Sequence, residues 1–124
     1  MVLVDTSVWI DHLRRTDPAL GGLLEDGEVA VHPFVIGELA CGNIVNRAEI
    51  LSLLQSLSQC QGIGDDELLF FIDRHTLHGR GLGLIDMHLL ASSRLAGHVL
   101  WTKDKRLNTA AIEMGIGYEV NGER

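Results

Sequence analysis

At 124 residues the chain has room for a single domain, positions 1–124, and enough length to bury a core without disulfide staples. Its 46% hydrophobic and 22% charged content excludes a disordered chain, no apolar run reaches the ~20 residues of a membrane span, and two cysteines are too few for a disulfide framework. Ten basic against seventeen acidic residues give a net charge of −7, which taken alone argues against a nucleic-acid binder.

These features point to a cytoplasmic protein with no membrane segment and no leader, its core aliphatic because only 5% of residues are aromatic. In chain order, Met1-Val2-Leu3-Val4 reads as a strand buried on both faces, closed by Asp5-Thr6-Ser7. Thr6 or Ser7 is placed to cap a helix holding Val8, Trp9 and Leu13, and Asp17-Pro18 restarts a helix that Gly27 ends. Residues 28–32 form a second strand, followed by a helix from Pro33 to Gly42. Residues 46–57 are helical, with Ile50, Leu53, Leu54 and Leu57 on one stripe. A third strand is expected over 59–63 and a helix from Asp65 to about His75. A glycine-rich loop over 76–83 leads to a helix over 84–95 and a fourth strand over 98–101. A last helix over 107–114 precedes a fifth, edge strand over 115–120. Short apolar strands alternating with helices predict an α/β fold, a doubly wound parallel sheet of four to five strands. Ligands bind such sheets at the carboxyl ends of the strands, so the residues ending strands are the ones to inspect.

Four acids stand there. Asp5 follows the first strand and Asp104 the fourth; each is equally readable as a helix N-cap. Glu38 lies about one helical turn after the second strand, at the edge of an apolar stripe where a lone charge needs a partner. Asp86 opens an otherwise apolar helix, in Leu84-Ile85-Asp86-Met87-His88-Leu89-Leu90-Ala91. Together they would make an oxygen-rich pocket suited to Mg²⁺ or Mn²⁺, whose chemistry fits phosphodiester hydrolysis. The histidines show no ligand spacing, and Cys41 and Cys60 read as small buried hydrophobes. Arg80, Arg94, Lys103, Lys105 and Arg106 are candidate phosphate contacts, with Lys103 and Arg106 favoured because they flank Asp104.

Val4-Asp5-Thr6-Ser7, Glu38-Leu39, Leu84-Ile85-Asp86 and Leu100-Trp101-Thr102-Lys103-Asp104 resemble, in order and context, the PIN-domain ribonucleases, and among them the VapC-type toxins of bacterial toxin–antitoxin pairs. The resemblance spans essentially the whole chain. It implies a Mg²⁺- or Mn²⁺-dependent endoribonuclease in which Asp5, Glu38, Asp86 and Asp104 hold the metal. Thr6 and Thr102 would orient that quartet. Some family members carry a further acid shortly after the position of Asp104, where this chain has Lys105, Arg106, Leu107 and Asn108. The expected partners are an RNA substrate, a small basic antitoxin and a second copy of the chain. The competing reading from another class is a receiver-type phospho-acceptor module, which shares the architecture and a Thr-Lys pair after a late strand. It wants an acceptor Asp after the third strand, where residues 59–63 run into Gly64 before Asp65-Asp66.

Overall fold

The computed structural model describes residues 1–120; the last four positions of the expected domain lie outside it. Three-residue strands β1 (Val2–Val4), β2 (Val29–Val31) and β4 (Val99–Trp101), with the two-residue β3 (Ser58–Gln59), form one four-stranded parallel sheet in the order β3-β2-β1-β4. Helices α1 (Thr6–Arg14), α2 (Pro18–Glu25), α3 (Pro33–Cys41), α4 (Arg47–Ser56), α5 (Asp65–Arg74), α6 (Leu84–Ala96) and α7 (Lys105–Glu113) flank it. Register is fixed by Val2 opposite both Val29 and Val99, and Leu3 opposite Ala30 and Leu100. Leu3, Val4, Val31 and Leu100 have no solvent exposure, as expected of strands covered on both faces.

The strand order separates the two architectures the sequence left in competition. A receiver-type module of order 2-1-3-4-5 sets its third strand beside its first. Here β3 lies at the edge, beyond β2, and β4 takes the other side of β1. The direction of winding therefore reverses at β1, and a crevice opens beyond the carboxyl ends of β1 and β4.

Several expectations shift. The third strand is only Ser58–Gln59, because Gly62 and Gly64 give the following segment little strand character. No fifth strand forms over 115–120; one parallel bridge joins Leu100 to Gly117, with Leu100 N–H donating to Ile116 O at 2.7 Å and Tyr118 N–H to Leu100 O at 2.9 Å. Gly117 passes so close to α7 that any side chain there would run into Ile112. The cap of α1 is Asp5 rather than Thr6 or Ser7. α7 starts at Lys105, two residues early, because Asp104 caps it. Leu53, expected on the buried stripe of α4, is exposed, and so is Cys41, while Cys60 is buried.

α3 is fastened by His32. Its Nδ1 accepts from Phe34 N–H at 3.0 Å as the helix N-cap, and its Nε2 meets Ser92 Oγ of α6 at 3.2 Å. Burial, with the nearby His88 adding to it, pushes the His32 pKa down to about 4. A base whose folded pKa is depressed stays neutral in the fold while the unfolded chain takes up a proton. Its contribution to stability is complete above the unfolded value of ~6.5 and is lost as pH falls from there towards about 4. His32→Gln should therefore lose less stability than wild type between pH 7 and pH 4 in urea titrations; equal losses would show that His32 is protonated in the fold. Leu3→Ala, on the central strand with no exposure, should cost about 2–5 kcal/mol in the same assay.

Candidate active site

Asp5 ends β1 at the point where the sheet reverses, its N–H donating to Trp101 O at 2.9 Å and so tying it to β4. Its carboxylate is buried, 8% exposed. Oδ1 accepts from Thr6 N–H at 2.8 Å, and Oδ2 accepts from Thr102 Oγ1 at 2.7 Å and Ser7 Oγ at 2.9 Å. Those hydroxyls are themselves held by the turn between β4 and α7: Lys103 N–H donates to Ser7 Oγ at 3.0 Å, and Asp104 N–H to Thr102 Oγ1 at 3.1 Å. Two backbone amides thus act through two hydroxyls on one carboxylate oxygen, and such chains strengthen each member. All three donors to Asp5 are neutral. Among the described residues it makes no ion pair.

The other three acids reach the same rim from different elements. Thr6 Oγ1 donates to Glu38 Oε1 at 2.6 Å, joining α1 to α3 across 32 residues of sequence. Asp86, third residue of α6, reaches back so that its Oδ2 accepts from Gly83 N–H at 3.0 Å. Asp104 caps α7, its Oδ1 accepting from Leu107 N–H at 2.9 Å. The cap reading and the site reading therefore hold together: a cap uses one oxygen and leaves the other. Glu38 Oε2, Asp86 Oδ1 and Asp104 Oδ2 accept no hydrogen bond among the described residues.

Electrostatics ties the set together. The pKa of Asp86 is raised, first by burial and then by the charges of Asp5 and Asp104, against the lowering effect of the Gly83 hydrogen bond. Like charges share one crevice, and among the described residues no basic side chain is paired to them.

Among the described residues, no three acids close into a ready-made metal cage. Mg²⁺ keeps several waters and takes one or two carboxylates plus substrate oxygens, so a complete protein cage is not what it requires. The donor set fits as well, being all carboxylate oxygen with the uncompensated charge a hard cation would offset.

Four of the five basic residues expected at phosphates make contacts within the fold, and Lys105 is exposed with no side-chain partner among the described residues. Lys103 Nζ pairs with Asp11 at 2.8 Å, Arg80 with Glu113 at 2.8 Å, and Arg94 donates to Met114 O at 2.9 Å. Arg106 lies against Gly81, whose φ of +77° and lack of Cβ admit it. Ser7, which the sequence offers only as a possible helix cap, joins the site as a donor to Asp5. A hydroxyl two residues after a strand-ending acid, in the first turn of the helix that acid caps, is the signal that marks it.

A PIN domain family model matches residues 2–113. The chain is 50% identical over 117 residues, covering 94% of each partner, to proteins named Ribonuclease VapC32 from two strains of Mycobacterium tuberculosis. The crystal structure of PAE2754 from Pyrobaculum aerophilum superposes with a TM-score of 0.59 at 21% identity, over 88% of this chain and 78% of that one, a likeness of fold.

The relay onto Asp5 predicts that Thr102→Val, close to isosteric, deprives Asp5 Oδ2 of a donor and Asp104 N–H of its acceptor. It should cost about 1–3 kcal/mol in urea denaturation with EDTA. An unchanged midpoint would mean that water takes over both bonds.

Proposed function

The chain belongs to the VapC-type ribonucleases of the PIN-domain family, and from that premise we propose how its acidic rim cuts RNA. Asp5, Glu38, Asp86 and Asp104 would hold Mg²⁺ or Mn²⁺. When bound, such a cation supplies Lewis acidity for in-line displacement at phosphorus. The chain's own part is positioning. Asp5, held by three donors, is the fixed carboxylate. Thr6 fixes one oxygen of the exposed Glu38, leaving Oε2 directed by a single hydrogen bond on its twin oxygen. Asp86 Oδ1, on a carboxylate whose proton affinity is raised first by burial and then by its acidic neighbours, would accept a hydrogen bond from the attacking water. Asp104 Oδ2 completes the rim from α7.

The observation that carries this reading is the buried, cation-free Asp5 at the reversal of the sheet, in electrostatic contact with Asp86 and Asp104. As the toxin of a toxin–antitoxin pair, the protein would act as a homodimer and be silenced by a basic partner whose arginine pairs with these carboxylates. Among the described residues no helix is long and apolar enough to cross a membrane.

Purified protein should cleave single-stranded RNA with Mn²⁺ and not with EDTA. Asp5→Asn, Glu38→Gln and Asp86→Asn should each slow cleavage on the order of a hundredfold or more, and each should relieve growth arrest on expression without an antitoxin. A folded Asp86→Asn protein cutting at the wild-type rate would remove that residue from the mechanism.

A further inference from the structure

Two clefts adjoin the turn after β4, and although none of the four acids lines either of them, Thr102, which donates to Asp5, lines the first. The first, about 540 Å³, is lined by Trp101, Thr102, Lys103, Asn108 and Tyr118. The second, about 410 Å³, lies at the junction of α1 and α2 and is lined by Arg14, Arg15, Thr16 and Pro18. Asp17 and Lys103 line both, so the two form one trough. It begins at Thr102, the residue that donates to Asp5.

We propose that this trough carries the RNA strand leaving the scissile phosphate, with one nucleobase in the first cleft against Tyr118 and the next phosphates along Arg14 and Arg15. The inference rests on the ribonuclease reading above and extends it to substrate path and contacts.

The two ends of the trough differ in the way a nucleotide does. Tyr118 is half-buried and backed by Trp101, with ring centroids 5.1 Å apart and planes at 42°. A two-ring platform of this kind stacks any base. Asn108, one turn of α7 beyond Asp104, offers an amide with both donor and acceptor capacity for a base edge. This is the segment where relatives of this type can carry a further acid. The second cleft is the more cationic end, its three basic residues facing two acids, Asp11 and Asp17. Three of the chain's ten Lys and Arg residues line it, in a protein of net charge −7. Lys103 is bound to Asp11, but Arg14 and Arg15 are exposed and make no ion pair among the described residues. An acidic enzyme that binds a polyanion needs local cations to offset its own charge, and here they flank the carboxylates through Thr102 and Lys103. Arg14 feels the Asp11 carboxylate, but neither arginine is held in an ion pair among the described residues, and two exposed guanidinium groups suit a polyanionic strand better than an apolar peptide segment.

Steady-state cleavage of a fluorophore–quencher RNA of mixed sequence and about twenty nucleotides, with Mn²⁺, reads both contacts. Tyr118→Ala should raise KM about tenfold with kcat unchanged, and Tyr118→Phe should keep the wild-type KM. The exposed pair Arg14→Gln/Arg15→Gln, which threatens no packing, should raise KM and make the dependence of log kcat/KM on log salt shallower by about 1. If wild type cleaves and the arginine variant keeps both its KM and its salt slope, the trough is not the strand's path, even if the variant loses affinity for a protein partner. If wild type neither binds nor cleaves RNA, the ribonuclease reading falls and this inference with it.

Discussion

The burial of the Asp5 carboxylate between β1 and β4, with other acids on the same rim, is the constraint around which this small fold is organised. Asp5 is buried without a cation, and Asp86 is made harder to ionise first by its own burial and then by the charges of Asp5 and Asp104. A folded chain keeps such a group only if hydrogen bonds replace the lost water, and Asp5 has three of them. The turn after β4 has its conformation because of this: residues 102–104 place one hydroxyl and two amides where they feed Oδ2 of Asp5 through Thr102 and Ser7. The rim is therefore held by neutral donors, and its charge is left unbalanced.

Helix starts supply the rest. In a parallel sheet the helices begin at the rim where the strands end, so their first-turn amides and the positive end of the helix dipole face the same crevice. Asp5, Asp86 and Asp104 each satisfy a backbone amide at such a start. Local stability and active-site placement use the same side chains here, and the first is not evidence against the second. Two carboxylate oxygens per residue allow both.

Much of this was legible in the sequence. Apolar runs closed by Asp5 and by Thr102-Lys103-Asp104 mark the two strand ends, and Asp86 stands out because its helix is otherwise apolar. What the sequence could not show is which strands neighbour one another. The placement of β4 rather than β3 beside β1 brings Asp104 to Asp5, and it rests on pairing between strands far apart in the chain, Val2 with Val99. The weak third strand and the missing fifth failed because both segments are rich in glycine, where the pattern carries little information. The cations misled for a different reason. Lys103 and Arg106 flank Asp104 in sequence, yet one pairs with Asp11 and the other packs on Gly81. Arg14 and Arg15, ninety residues away in sequence, line the cleft that Lys103 shares.

The central claim is that the rim is an excess of negative charge awaiting a cation, and thermal unfolding tests it without any substrate. A cation that binds only the folded protein adds RT ln(1 + [L]/Kd), about 2.7 kcal/mol at a hundred times Kd, which is several degrees for a domain of this size. Asp104→Asn isolates the charge, because Asn caps a helix about as well as Asp. Melts of wild type and Asp104→Asn, each with EDTA and with Mn²⁺, should show a higher Tm for the variant in EDTA and a smaller gain from Mn²⁺. If Mn²⁺ moves neither melt and Asp104→Asn only lowers the Tm, these carboxylates are helix caps and the account of the site is wrong.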